Sequence, residues 1–365
     1  MVRTGACRAT QLIAWCGEAG TQSSPLPYMP RLTRSSAMRR LLVLMQLLAA
    51  CLVLPFAASA QAPRPVTLAV QLNSDIPQIL IAAERKLWEQ QGLDVRLIPT
   101  ATGRETLEAL AGGQADFAVF ADLPATIAAL RKQPFVILAD VARYNGQRAI
   151  ASKKRMKKFD SPADLDGMKV GTTLGTSVEY LAALLLQRGN ANATIVNATP
   201  ADIIPALVRG DIDASVPFPS VYAQAKKLLG DDYLELKATG YAAHILLATS
   251  PAMARDRAGD VEKFVRAVLQ GEEVVTKDPA AAKEAVIRAS KGVMAMEVLN
   301  AMWPDYEHRL VLTTELPKFM SEQAAWVAKK GMIKVEPGQG SVQALRGYIH
   351  ERPLSTLAPE RVQLN

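Results

Sequence analysis

Residues 98–119 can be laid over residues 195–216 without a gap, and 8 of the 22 positions are identical. The matches are Ile98/Ile195, Ala101/Ala198, Thr102/Thr199, Ala109/Ala206, Leu110/Leu207, Gly113/Gly210, Asp116/Asp213 and Val119/Val216. In each copy a helix end runs into a Gly turn, then a short apolar run, then a Pro at the start of another helix. Any two α/β stretches can match by chance, but the preserved spacing favours a duplicated unit. Duplication fixes the architecture before any other feature is weighed.

The first 60 residues read as a leader that lies outside the fold. Met38-Arg39-Arg40 precedes an apolar run over residues 41–56, and Ala58-Ser59-Ala60 follows before Gln61. A basic start, an apolar middle and a small-x-small site make a secretory signal peptide. Its start at Met38 implies that residues 1–37 belong to an over-long start. The run is short of the ~20 residues a bilayer needs, which argues against a membrane anchor. Lipid attachment at Cys51, after Leu48-Ala49-Ala50, is the alternative to simple cleavage.

Removing the leader changes the charge argument. The whole chain holds 42 Lys+Arg and 35 Asp+Glu. The leader takes six Arg and one acid, leaving 36 and 34, about +2. The basic balance therefore does not point to nucleic acid. All three cysteines (Cys7, Cys16, Cys51) also lie in the leader, which suits an oxidising compartment without disulfides. The remaining 305 residues exceed the roughly 250–300 at which single cores stop growing, so two lobes are expected.

Strands are expected over 66–72, 94–100, 115–121 and 135–141, with helices over 77–91, 104–111 and 122–132 between them. Residues 143–147 break the alternation, and 148–152 should cross to a second lobe. There, strands at 169–173, 194–198, 211–217 and 233–237 alternate with helices at 177–188, 201–209 and 220–229. A strand over 241–249 returns. Beyond Pro251 the chain reads as helical, with a loose tail at its end. This is an α/β pattern with two parallel-sheet lobes. Lobe 1 is expected to take residues 61–148 and 245–365, and lobe 2 residues 149–244.

No GxSxG, Walker loop, HExxH, CxxC or GxGxxG is present. His244, His308 and His350 are far apart, and no Cys/His cluster supports a metal site. No catalytic residue, metal or cofactor is expected. Ligands of open parallel sheets bind beyond the carboxyl ends of the strands, which selects the loops at 73–76, 121–124, 143–146, 174–177 and 218–220. The candidate ligand contacts are Asn73, Ser74, Asp122, Leu123, Tyr144, Gly175, Thr176, Ser177, Phe218, Ser220 and His244. Gly175 allows close backbone approach, while Thr176, Ser177 and free helix N–H groups can hold a polar head group. The plainer alternative is that Thr176 or Ser177 only caps a helix; Asp122 and Ser220 face the same choice. His244 either reaches the cleft from the return strand or is structural. Asp116 and Asp213, at strand starts, are assigned to turn or edge hydrogen bonds. The basic run 153–158 reads as a solvated face.

Several of these stretches together resemble a known family. They are the leader, Gly112-Gly113-x-Ala115-Asp116-Phe117 running into Asp122-x-Pro124, Gly175-Thr176-Ser177-x-x-Tyr180, and Asp211-Ile212-Asp213-Ala214 before Phe218-Pro219. The chain is similar to the solute-binding proteins of sulfonate, nitrate, taurine and thiamine-precursor ABC importers over about residues 65–330. The resemblance implies a type II periplasmic binding fold, with a small-molecule ligand in a cleft between two lobes. It further implies a periplasmic monomer that serves a membrane permease and its ATPase. The family often has Trp where Phe218 stands. The cargo stays open between a sulfonate, taurine, nitrate and a pyrimidine-like solute, since Arg143 and Arg148 lie near the rim but so do Asp75 and Asp122. Two other readings remain: an exported enzyme pairing His244 with Asp122, and the ligand-binding module of a signalling receptor.

Overall fold

A computed structural model describes residues 64–364, apart from Ser74 and residues 292–293. The expected leader, with its start at Met38 and the alternative lipid site Cys51, lies outside the described residues. Residues 61–365 form one compact unit built on two sheets. The larger sheet has six strands in the order β11-β4-β10-β3-β1-β2. Its members are β1 (Arg64–Val70), β2 (Leu93–Pro99), β3 (Phe117–Ala121), β4 (Val136–Tyr144), β10 (Ala243–Thr249) and β11 (Tyr306–Glu307). The smaller has five in the order β7-β6-β8-β5-β9: β5 (Arg148–Ser152), β6 (Lys169–Thr172), β7 (Thr194–Asn197), β8 (Ala214–Val216) and β9 (Tyr233–Lys237).

The sheets are parallel except where the chain crosses between them or pairs at an edge. Strand β5 enters the smaller sheet antiparallel to β8 and β9. Strand β10 enters the larger sheet antiparallel to β3 and β4, and the short β11 pairs antiparallel with β4 at its edge. Each crossing strand is inserted beside the central strand of its sheet, so the two lobes exchange equivalent strands. The crossings are tied together by the Ala238 N–H, which donates to the Gln147 carbonyl at 2.8 Å.

The repeated residues build the same local device twice. Helices Gly103–Ala111 (α2) and Ile203–Arg209 (α5) lead into β3 and β8. Thr102 and Thr199 accept hydrogen bonds from the N–H three residues on, Glu105 at 3.3 Å and Asp202 at 3.2 Å. Each threonine hydroxyl also donates to that residue's carboxylate; Thr102 is the N-cap of α2, whereas Thr199 lies three residues ahead of the N-cap of α5, Asp202. Gly113 and Gly210 take φ of +71° and +83°, the left-handed region in which a β-carbon is strained. Asp116 Oδ2 accepts from the Thr67 N–H at 2.8 Å and its hydroxyl at 2.9 Å. Asp213 Oδ2 accepts from the Lys169 N–H at 2.9 Å. Each therefore pins the start of a central strand to its neighbour, the turn and edge role expected of it. Arg155, from the basic run, supplies a cation to Asp213 at 2.7 Å.

Helix Pro77–Glu84 (α1) packs on Ala258–Lys277 (α7) so closely that a β-carbon on Gly271 would lie 2.1 Å from the Gln78 carbonyl oxygen. The helix expected over 77–91 is broken: Lys86 adopts φ +53°, and a separate turn runs Leu87–Gln90. The tail is not loose. Helix Arg352–Leu357 buries Leu354 completely, and Val362–Gln363 pairs in parallel with Leu312–Thr313. Arg361 reaches the buried Glu272 at 2.6 Å. Those contacts join residues 50 and 89 positions apart, which a local reading of the tail does not reveal.

Candidate functional site

Between the two sheets lies a cleft lined from the first lobe by the ends of β1, β3 and β10 and from the second by Ser177, Phe218 and Pro219. Three helices begin on it: α1 after Ile76, Asp122–Leu130 (α3) after Ala121, and Ser177–Gly189 (α4) at Ser177 itself. The geometry follows from strand direction, since the central strands of both lobes point their carboxyl ends at the gap. The enclosed space is about 40 Å³. At roughly 10–15 Å³ per water site, the cleft as it stands holds only a small group.

Asn73 and Asp75, on the loop after β1, lie on the cleft wall. The Asn73 side-chain amide donates to Asp75 Oδ2 at 2.8 Å, and the Tyr306 hydroxyl donates to Asp75 Oδ1 at 2.5 Å. Burial nevertheless pushes the Asp75 carboxyl above its ordinary range, against those two hydrogen bonds. Tyr144 packs against Tyr306 with ring centres 4.3 Å apart and planes tilted by 32°, and its hydroxyl donates to the Gly146 carbonyl at 2.9 Å. Gln147 lines the cleft beside the crossing and is nearly buried. Gln71 donates to the Ala101 carbonyl at 2.8 Å.

Of the sequence candidates, Asn73, Tyr144, Ser177 and Phe218 line this space. Ser74 lies outside the described residues. The others are placed elsewhere. Leu123 is wholly buried in the core. Gly175 borders a neighbouring groove with Arg104 and Met332. Thr176 stands at the N-cap of α4, but its hydroxyl donates to the Thr173 carbonyl at 2.7 Å and makes no cap bond. Ser220 is exposed within a short 3₁₀ turn, Pro219–Val221, that precedes Tyr222–Leu229 (α6). It therefore does not cap that helix.

Asp122 is fully buried behind the cleft as an acceptor hub. It receives the N–H of Leu123 at 2.7 Å, the N–H of His244 at 2.8 Å, the Gln323 amide at 2.7 Å and the Tyr241 hydroxyl at 3.3 Å. Burial raises its pKa, opposed by the charge of His244. His244 turns its Nδ1 to Asp140 Oδ2 at 2.6 Å. Burial would lower the imidazole pKa, but Asp140 and Asp122 outweigh it and hold that pKa above its usual range. Arg143 also pairs with Asp140 at 3.0 Å and with Glu315 at 2.7 Å. This network has consumed both the histidine and the arginine that the sequence placed near the rim.

The second lobe is clamped to the first beside the cleft. Tyr180 of α4 meets Trp326, Phe319 and Tyr241 edge-on at 5.3, 5.9 and 6.1 Å. Glu179 accepts the Gly175 N–H at 2.6 Å and pairs with Lys330. On the crossing side Asp305 pairs with Lys237 at 2.7 Å and Arg148 at 3.8 Å. Sequence reasoning missed Gln71, Gln147, Ala243 and Ile245 as cleft residues. Gln71 follows directly from the carboxyl end of β1, a signal the strand-end rule already contains.

The chain matches the NMT1/THI5-like family over residues 73–282. It is 30% identical over 138 residues to a Brucella abortus (strain 2308) protein provisionally named a binding protein, covering 37% of this chain and 41% of that one. The match thus spans about two-fifths of the length of that curated relative. The fold resembles the alkanesulfonate-binding protein SsuA from Xanthomonas axonopodis pv. citri, solved with MOPS. That likeness has a TM-score of 0.67 and 17% identity, over 80% of this chain and 99% of the other. It also resembles the periplasmic nitrate-binding protein NrtA from Synechocystis PCC 6803, with a TM-score of 0.66 and 12% identity over 82% and 89%. Among the described residues no helix is long and apolar enough to cross a membrane.

Proposed function

Because the chain belongs to the NMT1/THI5-like family, we propose that it is the solute-binding component of an ABC import system. It works in the periplasm, captures a small polar solute between its lobes, and hands it to a membrane permease and its ATPase. It performs no chemistry on that solute. The observation that carries the reading is the cleft of mixed polar and apolar lining at the strand ends of both lobes, spanned by two crossings. Asn73, Tyr144, Ser177 and Phe218 are assigned as solute contacts from the two sides. The sulfonate- and nitrate-binding neighbours of the same fold support the same role.

Closure of the lobes supplies both affinity and signal. A micromolar complex needs about −8 kcal/mol, and one exposed helix N-terminus contributes only ~0.3–1 kcal/mol. Most of the affinity must therefore come from burying the solute between the lobes, which couples binding to closure. The test is calorimetry and cellular uptake on the same variants. Phe218→Ala is expected to weaken binding and uptake together. Gly146→Ala places a β-carbon 2.5 Å from Asp305 and the Tyr144 hydroxyl, so it should impair uptake more than affinity. Equal losses in both assays for Gly146→Ala would count against the hinge account.

A further inference from the structure

Resting on the import reading above, we propose that the solute presents a cationic nitrogen, an ammonium or amidinium group, to Asp75, and that sulfonates and nitrate are excluded from this cleft. Among the described residues, no lysine, arginine or histidine lines the cleft. The two arginines nearest in sequence are committed elsewhere. Arg143 serves Asp140 and Glu315, and Arg148 serves Glu235 and Asp305.

Three helices begin on the cleft and would ordinarily welcome an anion. Each already has a carboxylate of this chain at its start. Asp122 lies in the first turn of α3 and takes the Leu123 N–H. Glu179 lies in the first turn of α4 and takes the Gly175 N–H. Asp75 lies two residues ahead of α1. An incoming sulfonate would meet these acids and find no side-chain cation.

The three acids differ in one respect. Asp122 has the cationic His244 beside it, and Glu179 has Lys330. Among the described residues, the donors to the Asp75 carboxylate are neutral, the Tyr306 hydroxyl and the Asn73 amide. Each takes one carboxylate oxygen, and an ionised carboxylate offers about four acceptor sites, so both oxygens retain capacity. A partly desolvated carboxylate without a counter-ion is unfavourable, and a ligand ammonium removes that cost with a charge-assisted hydrogen bond. Tyr144 and Phe218 line the same space, and aromatic faces attract organic cations.

Two matched series test this by native mass spectrometry and calorimetry on the mature chain. One is benzylamine, benzyl alcohol and benzenesulfonate; the other is ethanolamine, ethylene glycol and isethionate. The wild type is expected to retain an amine at least tenfold better than its alcohol and sulfonate partners. Asp75→Asn should lose that preference at least tenfold, while Asp75→Glu keeps it. Asn73→Lys, which sets an ammonium beside Asp75 without altering it, should also abolish amine retention. Retention of a sulfonate in preference to its amine, amine binding unchanged in Asp75→Asn, or retention of no probe overturns the proposal. The import reading fails separately: if cells lacking this chain take up the retained amine as fast as wild type, delivery is lost while the charge preference stands.

Discussion

Asp116 and Asp213 do the same work at the starts of β3 and β8, yet a few residues further on the lobes have nothing in common. At the strand starts both carboxylates tie down a neighbouring strand, and Gly113 and Gly210 share a left-handed backbone. At the strand ends, the first lobe puts Asp122 into a buried hub, whereas the position 97 residues on is Pro219, followed by exposed Ser220. The contrast separates two kinds of constraint. Turn chemistry is local, so two copies keep it; the cleft ends face different partners, so they diverge. In consequence the charge at the cleft belongs to the first lobe, and the second contributes a hydroxyl and an aromatic ring.

The largest test of this asymmetry is Asp122→Ala. It strips the acceptor from four donors and leaves His244 with one carboxylate instead of two. Removing one partner of a buried charged network costs about 3–5 kcal/mol. Ser220→Ala, on the opposite lip, should stay within about 0.5 kcal/mol because nothing buried depends on it. Urea unfolding of both variants checks the pair. Similar losses at the two sites would mean that the hub does not carry the stability of its lobe.

The shared device predicts matched effects instead. Asp116→Ala and Asp213→Ala should each cost about 1.5–3 kcal/mol, the range for hydrogen bonds to charged groups. The two losses should add in the double variant if each acts within its own lobe. Asp213 brings a pH signature as well. Burial would raise its pKa, but the Lys169 N–H and Arg155 together hold it below the usual carboxylate range. Its contribution is therefore present above the unfolded value of about 3.9 and is lost as pH falls through the lower folded value. Acid titration of unfolding, wild type against Asp213→Ala, reads the difference.

The parts of this molecule that were legible in the sequence are those whose causes are local. Gly113 and Asp116 announce a turn and a strand start within four residues, and the strand-end rule leads to the loops holding Asn73, Ser177 and Phe218. What escaped depends on partners far away. His244 faces Asp140, 104 residues earlier, Gln323 reaches Asp122 across 201, and Tyr306 reaches Asp75 across 231. Nothing near Leu123 or Thr176 says that one side chain enters the core and the other bonds back to Thr173. Side-chain direction at a strand end follows from pleat and register, which pairing with a distant strand decides.

How the lobes are held together gives a smaller effect. Asp305, from the first lobe, pairs with Lys237 and Arg148 of the second. These ion pairs are partly exposed, so Asp305→Ala should cost only about 0.5–1 kcal/mol. That corresponds to a roughly two- to fivefold shift toward the open arrangement. Energy transfer between dyes on the two lobes measures it. An unchanged distribution would assign the clamp to Tyr180 and Glu179 alone.

The smallest expected effect is protonic, because losing a proton from His244 leaves every side chain in place. Asp140 and Asp122 raise the imidazole pKa despite its burial. A group with a raised folded value contributes fully below its unfolded pKa of about 6.5, and that contribution disappears as pH climbs through the folded value. Stability should therefore decline on the alkaline side in the wild type and stay flatter in His244→Asn. The decline should follow unfolding of the first lobe, since His244 is bonded wholly within it, to Asp140 through its ring and Asp122 through its backbone. Paired probes in β4 and β9, followed by hydrogen exchange across pH, locate the change. Equal alkaline loss of protection in both sheets would show that the two lobes unfold as one unit, and that their asymmetry of charge is not an asymmetry of stability.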